Sequence, residues 1–210
     1  MADPRPGAGE WVPERPDLAA LRAAAPGCRG CELWRPATQV VFSARSASAR
    51  MVLVGEQPGD QEDREGEPFV GPAGRLLARA VEQAGIARRE VYVTNAVKHF
   101  RFDRRGKRRI HEKPAIAHID ACRPWLRAEL AVVRPRIVVC LGATAARSVL
   151  GRTVRIGAER GRVLDESDPP ALVTAHPSAL LRTRDAADRD AAFAALVADL
   201  RTAQDAVRVE

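Results

Sequence analysis

Glu56, Asn95 and His176 each stand close behind a short apolar run, in the contexts Gly55-Glu56-Gln57-Pro58-Gly59, Thr94-Asn95-Ala96-Val97-Lys98 and Thr174-Ala175-His176-Pro177-Ser178. A carboxylate, an amide and an imidazole brought together could orient a leaving group, move a proton, or read the edge of a planar heterocycle. Gly55 and Gly59 would let backbone N–H groups approach such a ligand, and Phe69, in Glu67-Pro68-Phe69-Val70-Gly71, could stack on its face. Each residue also has a plainer reading: a solvated acid in a Gly/Pro turn, a strand-ending Asn, a packed His, a core Phe, and a Ser178 that only caps a helix. Their order behind successive apolar runs is what links them.

The four cysteines, Cys28, Cys31, Cys122 and Cys140, form one C-x2-C pair and two widely spaced singles. Zinc held by four cysteines normally takes two close pairs, whereas iron-sulfur clusters accept varied spacing, so the pattern favours a cluster. Unbound buried thiols remain the alternative for Cys122 and Cys140. The first 18 residues hold prolines and charges but no apolar stretch suited to a secretory signal. The expected compartment is therefore the cytoplasm, where paired cysteines serve metals or catalysis more often than disulfides.

Lys and Arg number 34 against 27 Asp and Glu, and the excess is concentrated: residues 98–113 carry eight basic residues and two acids. Such a run can be a solvated surface or a sorting signal. Phe100, Phe102 and His111 interleave with its charges, which favours a nucleic-acid contact loop with Lys107, Arg108 and Arg109 as phosphate-facing cations.

The elements that must position these residues follow from apolar periodicity. Runs at 51–54, 91–95, 137–141 and 171–175 read as buried strands, and 18–25, 73–84, 115–133 (interrupted by Pro124), 143–150 and 186–204 as helices. Alternating strands and helices predict a three-layer α/β/α domain with a four-stranded, mostly parallel central sheet. At 210 residues one domain over 1–210 suffices, with an irregular segment at 1–17. With 46% hydrophobic and 29% charged residues and no long apolar run, a soluble chain with no membrane partner is expected, and a monomer. Ligands of such folds sit beyond the carboxyl ends of the strands, which points to the loops after Val54, Asn95 and Ala175.

Taken together, GEQPGDQEDREGEPFVGPAGRLL, TNAVK, HPSALLR and the four cysteines resemble the iron-sulfur branch of the uracil-DNA glycosylase superfamily, over roughly residues 25–200. The resemblance implies that uracil-containing DNA is the partner. By it, Gly55, Glu56 and Gln57 lie against uracil and its sugar, Phe69 stacks on the flipped base, Asn95 reads its Watson-Crick edge and His176 faces O2. It also implies a four-iron four-sulfur cluster on Cys28, Cys31, Cys122 and Cys140 that ties the N-terminal segment to the domain.

Two features depart from the ordinary cluster-bearing glycosylases: Gln57 where Ala is usual, and a longer segment after the Asn95 strand containing Lys107-Arg108-Arg109-Ile110-His111. Both resemble the UdgX subfamily, whose members attach covalently to uracil-containing DNA through the His of this motif. The expectation is single-turnover chemistry: uracil leaves, and His111 rather than water captures the sugar. An ordinary multiple-turnover glycosylase and a noncatalytic uracil-DNA binding protein are the alternatives.

Overall fold

The computed structural model describes residues 5–43 and 47–208, so the first four residues of the expected irregular segment lie outside them. In chain order the elements begin with α1 (Leu18–Ala24), β1 (Met51–Gly55), α2 (Asp60–Glu65), α3 (Pro72–Gln83), β2 (Val91–Asn95), β3 (Phe102–Arg105) and β4 (Arg108–His111). They continue with α4 (Ile116–Val133), β5 (Ile137–Leu141), α5 (Ala143–Leu150), α6 (Ile156–Glu159), β6 (Val163–Leu164), β7 (Ala171–Thr174), α7 (Pro177–Arg182) and α8 (Ala186–Arg208). Among the described residues no helix is long and apolar enough to cross a membrane.

The apolar runs become strands because burial on both faces leaves their backbone groups no partner except a neighbouring strand. The sheet runs β2-β1-β5-β7-β6, parallel throughout except at the last pair. Period-two alternation divides the side chains between two cores. Met51, Leu53, Ile137, Val139 and Leu141 face α3 and α8, while Val52, Val54, Val138 and Cys140 face the side built by α1, α4 and α5. The three layers are thus as expected, but the sheet has five strands, not four. The extra one, β6, is a two-residue antiparallel edge strand of half-buried residues, too short to leave a periodic signal.

Pro124 does not interrupt α4, which runs as one helix from Ile116 to Val133. A proline there forfeits one backbone hydrogen bond, and the burial of Trp125 (0% exposed) and Leu126 (1%) immediately after it holds the helix together. The N-terminal segment is tied down by the chain itself: Gly7 N–H donates to the Gly30 carbonyl (3.0 Å) and Ala8 N–H to that of Ala121 (2.7 Å).

From β1 the chain passes outward to β2, then returns to place β5 on the other flank of β1. The crevice beyond the carboxyl ends of β1 and β5 lies at this reversal, where such sheets bind ligands.

Candidate active site

The crevice is a cleft of about 800 Å³ whose lining includes Glu56, Phe69, Asn95, His111, Thr144 and His176. Four loops feed it, after β1, β2, β5 and β7, together with the end of β4. The expected residues Glu56, Gln57, Phe69, Asn95, His111 and His176 are therefore brought together.

Asn95 ends β2 and is 3% exposed, yet among the described residues its Oδ1 has no hydrogen-bond partner. A buried carbonyl oxygen without a donor costs about 1–3 kcal/mol, a cost that an N–H from a ligand in the cleft would offset. Gly55 permits this arrangement: a Cβ there would lie 2.5 Å from Phe69 Cζ and would also overlap Asn95 Oδ1. Phe69 has φ +60, a left-handed conformation that a bulky residue adopts only under constraint. Part of the constraint comes from Glu62, whose buried carboxylate accepts from Gly59 N–H (3.1 Å) and Gly71 N–H (2.8 Å) and so closes the loop across α2. Glu62, which the residue pattern does not single out, is thus the loop's internal brace.

His176 packs beside the Phe69 ring, with centroids 5.9 Å apart. Its Nδ1 accepts from the Ser178 backbone N–H (3.1 Å), which places the proton of the neutral ring on Nε2. Burial, then Arg182 and His111, pushes the imidazole down to about 4, so at neutral pH it is an uncharged Nε2–H donor. Glu56 accepts from Thr144 Oγ1 (2.5 Å) through Oε2, and its Oε1 lies 3.4 Å from His111 Nε2. Thr144, in the first turn of α5, thereby holds the carboxylate at the tip of β1, and the carboxylate faces the imidazole.

His111 belongs to a hairpin rather than a loop. β3 and β4 pair antiparallel, Phe102 opposite His111 and Arg105 opposite Arg108, around Gly106 at φ +61. Gln57, expected to touch substrate, spends its amide on the base of this hairpin. Its Oε1 accepts from Arg101 N–H (3.1 Å), and its Nε2 donates to the carbonyls of Arg101 (3.1 Å) and Glu112 (3.0 Å). Arg109, expected at phosphate, is turned inward onto Asp60 (2.5 Å) and the fully buried Asp63 (2.5 Å), with Thr38 Oγ1 at 3.0 Å. Its guanidinium also lies over Phe100 and Phe102, 5.6 and 5.1 Å from their centroids. The aromatics that suggested base contacts are the packing beneath the hairpin, Phe100 being 1% exposed. Lys107 and Arg108 remain on the exposed tip.

The cysteines divide. Cys28, Cys31 and Cys122 line one small buried cavity together with His99; Cys140 does not line it and sits in mid-sheet, between Val54 and Val173. Lys98 N–H donates to Cys122 Sγ (3.3 Å) and Trp125 Nε1–H to Cys28 Sγ (3.3 Å). Bonds of this kind stabilise thiolate sulfur in metal-sulfur centres. Among the described residues no three His, Cys, Asp or Glu side chains converge on a point where a single ion could sit. Side chains that share a cavity without sharing such a point suit a multi-metal cluster better than one zinc ion.

Behind Asn95 lies a network with no counterpart in the sequence reading. Lys98 and Glu129, 1% and 0% exposed, form a buried ion pair. Lys98 Nζ also donates to Thr94 Oγ1 (2.7 Å) and to the Asn95 carbonyl (2.8 Å), while Glu129 accepts from Tyr92 Oη (2.8 Å) and Thr94 Oγ1 (2.8 Å). The pair braces the end of β2 from the side opposite the cleft.

Residues 42–201 match the family model for the uracil DNA glycosylase superfamily. Among curated relatives, a type-4 uracil-DNA glycosylase of Thermotoga maritima is 37% identical over 159 residues, covering 75% of this chain and 79% of that protein. A type-4 uracil-DNA glycosylase of Pyrobaculum aerophilum is 29% identical over 174 residues, covering 79% and 85%. A third, from Archaeoglobus fulgidus, is 37% identical over 122 residues, covering 58% of each chain. Motif order, cleft and matched length agree, and the chain belongs to the uracil DNA glycosylase superfamily.

Proposed function

We propose that the protein excises uracil from DNA and then captures the exposed sugar on His111, so that each molecule reacts once. The observation that carries this reading is the placement of His111 in the same cleft as Asn95 and His176, with its Nε2 3.4 Å from Glu56.

A uracil flipped from the duplex would stack on Phe69, give its N3–H to the unpartnered Asn95 Oδ1, and receive the His176 Nε2–H at O2. Cytosine has no N3–H to give, so the acceptor would select uracil. As the bond between C1′ and uracil N1 breaks, its electron pair goes to the base. The O2 hydrogen bond stabilises that anion, and Glu56 the positive charge on the sugar. His111 occupies the position where a hydrolase would hold water, and a lone pair of its neutral ring forms the new N–C1′ bond. The alkylated imidazole then loses its N–H proton and uracil gains one, leaving a neutral N-linked adduct. Lys107 and Arg108 would hold phosphates, and the exposed tip suits them to it.

The cavity at Cys28, Cys31 and Cys122 is the seat of a four-iron four-sulfur cluster in this reading. Bound there, the cluster would cross-link the N-terminal segment to α4 through these cysteines.

The test is His111→Ser with excess uracil-containing oligonucleotide, read on a denaturing gel. Adduct should vanish and free uracil should exceed one equivalent per protein. A persistent adduct would assign the nucleophile elsewhere. Wild-type protein that releases many equivalents with no adduct would be an ordinary glycosylase, and one that binds without releasing uracil a damage-binding protein.

A further inference from the structure

We propose that Thr174 and Asp199 are positioning residues for base release, holding the end of β7 so that His176 presents its Nε2–H to uracil O2. This rests on the excision step proposed above, and not on whether His111 or water then takes the sugar.

Thr174 is 0% exposed and closes β7 two residues before His176. Its hydroxyl donates to Asp199 Oδ2 of α8, and its carbonyl accepts from Gly142 N–H (2.9 Å), where β5 turns into α5. Side chain and backbone are thus tied to two different elements. Asp199, 7% exposed, receives Arg160 on the same oxygen, from Nε (3.1 Å) and Nη2 (2.7 Å). The carboxylate fits only because residue 161 is glycine: at φ +75, a Cβ there would lie 2.7 Å from Asp199 Oδ1.

What this brace controls is the aim of the imidazole. The bond from Ser178 N–H to His176 Nδ1 is made within the turn itself and moves with it. The place of that turn against the cleft is set where the chain leaves the sheet, and slack is small, since a Cβ at Gly142 would lie 3.2 Å from His176 Cβ. A hydrogen bond to a developing anion depends on just such placement. β2 is closed by the same device on the opposite face: Thr94, immediately before Asn95, donates to Glu129 Oε1 (2.8 Å) of α4, with Lys98 as the cation. A valine would fill either threonine site without burying a polar group, so packing alone does not explain the pair.

The experiment measures free base released by the full chain in single turnover, from oligonucleotides carrying uracil or 5-fluorouracil. Thr174→Val keeps the side-chain shape and leaves Asp199 bonded to Arg160. It should slow uracil release roughly 10- to 100-fold with affinity for uracil-DNA little changed. The loss should be smaller with 5-fluorouracil, whose electron-withdrawing fluorine makes a better leaving group that needs less help at O2. Thr174→Ser, which keeps the hydroxyl, should recover most of the rate, and in a His176→Ala background Thr174→Val should have no further effect. Asp199→Asn should show the same dependence on the base, whatever its melting temperature. Wild-type rates in Thr174→Val, equal losses on the two bases, or a full added loss on top of His176→Ala would overturn the inference; equal losses in Asp199→Asn would overturn the part given to Asp199. Wild-type protein that releases no base overturns the excision reading together with it.

Discussion

At Asn95 an acceptor is held 3% exposed with no hydrogen-bond partner among the described residues, and in the proposed reading the selection of uracil depends on that vacancy. Asn95→Ala should therefore lower the uracil-over-cytosine preference by about 1–3 kcal/mol, or roughly 5- to 150-fold, in single-turnover rates on matched oligonucleotides. Unchanged preference would remove Asn95 from recognition. His176 makes a separate prediction about pH. Its folded value is about 4 against 6.5 for the free side chain, so between those values the unfolded chain holds one more proton. Stability should fall as pH is lowered through that window, by up to about 1.4 kcal/mol per unit from this residue, and be unaffected by it above 6.5. Thermal melts of His176→Gln should show a shallower loss between pH 6.5 and 4.5 than the wild type; parallel curves would refute the assignment. Glu56, Asn95 and His176 are legible in sequence because each stands at or just beyond the end of a strand of plain apolar pattern, and Phe69 because it lies in the Gly/Pro-rich stretch after the first of them. The role of Gln57 is not, because its partners Arg101 and Glu112 are more than forty residues away and only folding brings them near.

In the proposed reaction the hairpin is the element that brings the nucleophile to the pocket, and Arg109 holds it to the body. Asp63 is 0% exposed and loses its guanidinium in Arg109→Met, which should cost about 3–5 kcal/mol and slow adduct formation, with base stacking at Phe69 retained. Urea unfolding measures the first and a quenched time course the second. Lys107→Ala should leave stability unchanged and reduce the slope of log affinity against log salt by about one, because it sits on the exposed tip. The basic run is legible in the residue order, but the hairpin is not. Arginine stems packed on Phe100 and Phe102 do not register as an apolar alternation, and only Gly106 hinted at a turn. The same blindness hid α2, whose acids read as a solvated loop and instead anchor Arg109.

Across the whole molecule, the layers and the parallel sheet followed from runs of Val, Ile and Leu, whereas the buried Lys98 and Glu129 pair violates the pattern that made the rest readable. Lys98→Met alone leaves Glu129 uncompensated and should destabilise by about 3–5 kcal/mol; adding Glu129→Gln, which still accepts from Tyr92 and Thr94, should recover much of the loss. Additive losses in a double-mutant cycle would mean the two charges are uncoupled. In the proposed reaction the sheet reversal, the braced Asn95 and the anchored hairpin serve one outcome, a single covalent event at His111. Intact-protein mass spectrometry after incubation with a uracil-containing oligonucleotide measures it directly. The account predicts protein heavier by the oligonucleotide minus uracil, with fragmentation placing the attachment at His111 and one equivalent of uracil released. Unmodified protein beside accumulating free uracil, or attachment at any other residue, would contradict it.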